Sequence, residues 1–146
     1  MLPTLWFRNT WSWGRDNPRP VLESADGKCR TMKATDADLG ERYLYCDGPA
    51  ALLFTENETN AKRLFNGENR TPFVKDGINN FIVHGQTDAV NPARTGTKAA
   101  AHYRVKVPAG KCEAIRLRLS LPTGGATLGG AALAGAVRGY RPRKRD

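Results

Sequence analysis

The run Phe54-Thr55-Glu56-Asn57-Glu58-Thr59-Asn60 sets two carboxylates two residues apart in a polar stretch. Glycoside hydrolysis needs two carboxyl groups flanking one bond, about 5–5.5 Å apart for retention and about 6.5–9.5 Å for inversion. On an extended strand Glu56 and Glu58 point to the same side, so their spacing permits such a pair. A catalytic pair must approach its sugar from opposed directions, however, which neighbours on one loop seldom do. The plainer reading is a polar loop, or a helix start capped by Thr55 or Asn57.

Aromatic side chains stand close by in sequence type. Trp6, Trp11 and Trp13 fall within Leu5-Trp6-Phe7-Arg8-Asn9-Thr10-Trp11-Ser12-Trp13-Gly14. Flat indoles stack on the apolar faces of sugar rings, and Arg8 and Asn9 could bond hydroxyls; equally, the indoles could pack a sheet or its edge. Two further runs, 69–79 and 89–98, are dense in amides, hydroxyls and charges, and Gly77 and Gly96 give them freedom to turn. The candidate sugar-contact set is therefore Trp11, Trp13, Glu56, Asn57, Glu58, Asn60, Lys75, Asp76, Asn79 and Lys98. No phosphate-binding loop and no nucleophile-elbow serine accompany them.

The elements that must carry these groups read as short strands. Lys28 to Lys33 and Arg42 to Cys46 flank the turn-rich Thr35–Gly40, and Ala51 to Phe54 and Phe81 to His84 are two further apolar runs. Ala99, Ala101, Tyr103, Val105 and Val107 alternate with polar or small residues, as do Ile115, Leu117 and Leu119 with Arg116, Arg118 and Ser120. Period-two alternation puts one face on a core, and Pro108-Ala109-Gly110-Lys111 supplies a turn, so an antiparallel hairpin is expected there with Tyr103, Val105, Ile115, Leu117 and Leu119 inward. Residues 14–28 read as loop, and Thr59 to Phe65 as a short helix. The sum predicts a mainly β chain, a fragment of an antiparallel β-sandwich with long polar loops.

Composition narrows the class. The chain has 146 residues, a net charge of +9, three cysteines and two histidines. That length suits one domain. Cys29, Cys46 and Cys112 form no Cys-x-x-Cys, so no metal and no cofactor is expected. No apolar run has the length of a membrane span, and no export signal stands at the N-terminus, so a cytoplasmic protein without a membrane partner is expected. The apolar start at Leu5-Trp6-Phe7 suggests a domain entered mid-strand. After Ser120 the composition shifts: 17 of 26 residues are Gly, Ala, Arg or Pro. That gives a partial sandwich over 1–120 and, over 121–146, a basic low-complexity tail expected to be disordered or to derive from an out-of-frame reading of GC-rich DNA.

Several runs carry a resemblance. Leu2-Pro3-Thr4-Leu5-Trp6-Phe7-Arg8-Asn9-Thr10-Trp11-Ser12-Trp13-Gly14, Leu52 to Asn60, Val74-Lys75-Asp76-Gly77-Ile78-Asn79, Ala89-Val90-Asn91-Pro92 and Gly96 to Tyr103 resemble glucosidase-like proteins of glycoside hydrolase family 63, which includes the mannosyl-oligosaccharide glucosidases. The resemblance covers about residues 2–120. It implies the latter part of an N-terminal β-sandwich that precedes an (α/α)6 barrel, the barrel holding the catalytic carboxylates. No catalytic residue carries over onto this chain.

The expected function is thus an accessory β-domain of a glucosidase-like hydrolase, inactive alone, with an oligosaccharide or the barrel as partner. A carbohydrate-binding module without catalysis is the alternative, resting on the tryptophans. Nucleic-acid binding through Arg138-Gly139-Tyr140-Arg141-Pro142-Arg143-Lys144-Arg145 is a third reading, but no nucleic-acid-binding motif accompanies that tail, so nucleic acid is not the expected partner.

Overall fold

A computed structural model describes residues 1–13, 18–25 and 29–122. Among these the protein is mainly β, with eight strands in two antiparallel sheets and two short helices. In chain order the elements are β1 (Thr4–Trp6), β2 (Val21–Ala25), β3 (Arg30–Asp36), β4 (Gly40–Cys46), β5 (Ala51–Thr55), α1 (Ala61–Phe65), α2 (Gly77–His84), β6 (Thr95–Gly96), β7 (Lys98–His102) and β8 (Leu117–Ser120). Two 3-10 turns, Trp11–Trp13 and Thr87–Ala89, complete the set. One sheet has the order β1-β7-β5 and the other β6-β2-β3-β4-β8. The tail expected after Ser120 lies outside the described residues beyond Pro122.

The sheets pack face to face through alternate side chains. From the larger sheet come Leu22, Met32, Ala34 and Cys46; from the smaller sheet and its continuations come Phe54, Ala99, Ala101 and Tyr103. The other face of the smaller sheet is covered too. There Leu53 and Ala100 pack under Ile78 of α2, with Phe81 and Ile82 beside them. Strand β7 is therefore central in its sheet and buried on both faces, which explains Ala99-Ala100-Ala101: small side chains let a helix and a second sheet close on one strand.

The β3–β4 hairpin follows its sequence. The Asp36 carboxylate accepts from Asp38 N–H at 3.0 Å and Leu39 N–H at 2.9 Å, and Gly40 takes φ +66°. A local side-chain cap and a left-handed glycine are what such a turn requires. Helix α1 forms where the sequence predicts it, with Asn60 rather than Thr55 or Asn57 as its cap: the Asn60 side chain accepts from Arg63 N–H.

Three expectations are corrected. Residues 14–28 are not all loop, because β2 lies within them with Leu22 fully buried. Phe81–His84 is not a strand but the second half of α2, where Ile78, Phe81 and Ile82 meet the sheet at helical spacing. The Ala99–Ser120 hairpin does not form either: β7 pairs with β1 and β5, while β8 pairs with β4 in the other sheet. Of its expected inward set, Tyr103 is buried and Ile115 packs against the core, but Val105, Leu117 and Leu119 are exposed.

Tyr103 shows what the correct pairing achieves. It continues β7 past its end, exchanging backbone bonds with Met1, and its hydroxyl donates to Asp47 C=O at 2.8 Å. Burial, with Cys46 and Asp47 nearby, pushes its phenol from an ordinary value near 10 up to about 12. The fold favours the neutral phenol, so this contribution is complete below pH 10 and disappears as pH rises from 10 towards 12. Urea unfolding across that range should show an alkaline loss of stability that is reduced in Tyr103→Phe. The same variant should lose about 1 kcal/mol at neutral pH with the hydroxyl bond.

Candidate functional site

The loop from Glu56 to Asn60 leaves β5 and runs beside the segment 73–75. Glu56 N–H donates to Phe73 C=O at 2.7 Å and Lys75 N–H to Glu58 C=O at 3.0 Å. This pairing fixes an extended loop, so Glu56 and Glu58 do fall on one side, as their spacing predicts. What lies between them is a cation. Arg19, from the segment just before β2, places one guanidinium nitrogen against Glu56 Oε2 and 3.3 Å from Glu58 Oε1.

Further donors fill the same oxygens. Glu58 Oε1 also accepts from Trp11 Nε1 at 2.9 Å and from Arg70 at 2.7 Å, and Glu56 Oε2 accepts from Thr97 Oγ1 at 2.7 Å. The guanidinium carbon of Arg19 sits 5.7 Å from the centre of the Trp11 ring, so one indole face is taken by a cation. Both carboxylates are largely buried, with side-chain exposures of 13% and 12%. A glycosidase pair holds its sugar in the gap between its carboxyl groups. Here Arg19 occupies that gap, which makes this an ion cluster rather than an acid/base pair.

Two recesses flank the loop. A polar cleft of about 450 Å³ is lined by Trp11 and Glu58 together with Asn9, Ser12, Asn69 and Arg70. The Asn9 side chain closes a local turn, accepting from Ser12 N–H and donating to its hydroxyl. Amides, a hydroxyl, charges and an indole on one concave surface suit a hydroxyl-rich ligand. The second recess, about 680 Å³, is mostly apolar: Trp6, Ile78, Ile82 and Val83 form its walls, with Asn57, Lys75, Asn79 and Lys98 also reaching it.

The sequence-derived candidates thus divide. Trp11 and Glu58 line the polar cleft; Asn57, Lys75, Asn79 and Lys98 line the apolar groove. Glu56 sits behind both in the ion cluster. Asn57 serves structure as well, since its side chain donates to Phe7 C=O at 2.8 Å and its N–H to Thr97 Oγ1 at 2.8 Å. Asn60 and Asp76 face each other, Asn60 Nδ2 donating to the Asp76 carboxylate, with Arg63 3.4 Å from that carboxylate. The Trp13 side chain lies outside what the structure describes.

Arg19, Arg70, Thr97 and Trp6 were not in that set. Arg70 and Thr97 do lie in the polar runs, and Trp6 among the three tryptophans, so composition pointed to their neighbourhoods. Arg19 had no such signal; its segment reads as a proline-bounded loop.

The histidines and cysteines build nothing metal-like. Among the described residues no three His, Cys, Asp or Glu side chains gather as a metal would need. No helix of the described residues is long and apolar enough to cross a membrane.

The chain is 32% identical, over 143 aligned residues, to the uncharacterized protein YMR196W of Saccharomyces cerevisiae, an alignment covering 81% of this chain. It spans 13% of the length of that yeast protein. No protein-family model and no solved structure matches the chain.

Proposed function

We propose that the chain is a non-catalytic accessory β-domain of a glucosidase-like glycoside hydrolase, touching an oligosaccharide through its polar cleft. The observation that carries this is the filled gap between Glu56 and Glu58. With Arg19 ion-paired to both carboxylates, the acidic pair holds a cleft wall in place and leaves hydroxyl recognition to Trp11, Asn9, Asn69 and Arg70. Support also comes from the resemblance of residues 2–120 to family 63 glucosidases. In that reading the barrel supplies the catalytic carboxylates, and the reaction of the complete protein is hydrolysis of glucosidic bonds. A free-standing carbohydrate-binding module would use the same cleft, so the two readings differ in the partner and agree on the contact residues.

Calorimetric titration with linear gluco-oligosaccharides tests the contact. Weak binding is expected, and Trp11→Ala should reduce it about tenfold or more, the scale of losing one aromatic contact. The purified chain should hydrolyse neither aryl glucosides nor gluco-oligosaccharides above the uncatalysed rate. Turnover that vanished in Glu56→Gln or Glu58→Gln would overturn the non-catalytic reading, and binding unaffected by Trp11→Ala would remove the cleft from it.

A further inference from the structure

The apolar groove has an open strand edge along one wall. In the β1–β7 ladder Met1 and Tyr103 exchange both backbone bonds, Pro3 accepts from Ala101, and Phe7 donates to Thr97. Bonds in an antiparallel ladder alternate, so the odd residues face β7 and the N–H and C=O groups of Thr4 and Trp6 point outward. Among the described residues strand β1 is the edge of its sheet. Protein edges are usually blunted by charge, proline or a bulge. Here Met1 to Phe7 carries no charged side chain, and Pro3 lacks its N–H on the inward side, where it does not protect the edge.

The side chains above that edge are equally uncovered. Leu2, Thr4 and Trp6 stand on the groove face opposite Ile82 and Val83 of α2. Trp6 is 55% exposed and Val83 64%. A strand added beside β1 would take the free backbone groups and place every second side chain in this groove, as in strand-addition recognition.

Charge narrows what that strand must be. Lys98 stands opposite Trp6 in the ladder and reaches the same groove as Lys75. The Lys98 ammonium donates to Lys75 C=O at 3.3 Å, and the Lys75 ammonium to Thr59 Oγ1 at 3.1 Å. Neither has a carboxylate within ion-pair distance among the described residues. Burial and the neighbouring Lys75 both hold Lys98 below the ordinary lysine range. Asp76 opposes that shift only weakly and from beyond ion-pair distance, so the groove pairs apolar walls with two cations that lack a directly contacting carboxylate.

We propose that this groove docks an extended segment of a separate polypeptide chain as a fourth strand beside β1, its alternate apolar side chains against Trp6 and Val83 and a carboxylate at Lys75 and Lys98. A second copy of this protein fits less well: its own β1 brings no carboxylate, and a net charge of +9 opposes self-association. An oligosaccharide leaves the apolar wall unmatched. The polar cleft takes no part, so the docking site stands or falls independently of the sugar contact.

The test uses a fluorescein-labelled peptide of alternating valine and threonine ending in two glutamates, titrated with the intact protein by fluorescence anisotropy. Two control peptides carry either lysines in place of the glutamates or N-methyl groups on alternate backbone nitrogens. The acidic peptide should bind at least about tenfold more tightly than either control, since each control removes one recognised feature. Lys98→Glu should invert the preference between the acidic and basic peptides, a readout that simple unfolding would not produce. Thr4→Pro removes an outward donor without touching the β7 ladder, and should weaken binding while circular dichroism stays unchanged. Equal affinity for all three peptides, or no binding by a protein whose spectrum is native, would overturn the proposal. So would sedimentation showing a dimer that Thr4→Pro dissociates, because the second copy would then be the occupant.

Discussion

Gly96→Ala is expected to destabilise the protein by about 3 kcal/mol or more, a loss large enough to need a definite cause, which here is steric overlap. Gly96 belongs to β6, which pairs with Leu22 and Glu23 of β2 while lying directly against the backbone of Thr55. A Cβ at this position would fall on the Thr55 carbonyl oxygen and stand 2.8 Å from its carbon. Backbone cannot swing aside as a long side chain can. Moreover, Thr97 N–H donates to that same oxygen at 3.1 Å, so any shift disturbs the link between the two sheets. Urea unfolding should show a lower midpoint with an unchanged slope, the sign of lost stability in an otherwise similar fold. A variant within about 0.5 kcal/mol of the parent would mean that the two backbones do not meet as described.

Arg19→Met should cost about 2 kcal/mol. Removing one partner from a buried ion cluster costs about 3–5 kcal/mol; the 30% exposure of the Arg19 side chain and the remaining Arg70 contact reduce that figure here. Glu56 and Glu58 would be left facing each other, both largely buried, without the cation between them. Coupling supplies the check. If the cost comes from uncompensated charge, Glu56→Gln in the Arg19→Met background should recover part of the loss, whereas Glu56→Gln alone should destabilise. A double-mutant cycle with no coupling would show that Arg19 acts through packing on Trp11 instead.

What the sequence made legible was local. The turn-rich run 35–40 announces its turn and Thr59 to Phe65 its helix, since each of these is decided within a few residues. Alternation does not name a partner. Ala99–Tyr103 and Leu117–Leu119 both show period two, and the nearby Pro108–Lys111 turn made a hairpin the economical choice. The fold instead places β7 between two strands that both come earlier in the chain, β1 and β5, and the demand for small residues is visible only once α2 is known to cover the other face. Helix α2 itself was hidden because Phe81-Ile82-Val83 is as good a strand sequence as a helix end, while its start at Gly77 reads as a turn.

The candidate site followed the same division. The shared side of Glu56 and Glu58 came from their spacing alone. Their partner did not, because Arg19 reaches them from a segment that sequence reading assigns to a loop without function. Trp6 was grouped with its neighbours as a stacking residue, yet strand pairing turns it into a different recess from Trp11. Side-chain type predicted the chemistry available; only the ladder register decided which groups share a surface.

The β1–β7 ladder also sets an order of events. Met1 and Tyr103 are bonded across 102 residues. During synthesis β1 is made well before the β7 with which it pairs, and at about 5–20 residues per second that partner strand follows roughly 5–20 s later. Loop-closure entropy delays such distant pairings even in the finished chain. The larger sheet has an easier start, since β2, β3 and β4 are successive neighbours that can assemble from nearby sequence. The apolar run Leu2 to Phe7 must therefore wait for β7 to be made, and in a nascent chain it stays open to chaperone capture or aggregation longer than the strands β2 to β4, whose partners follow at once.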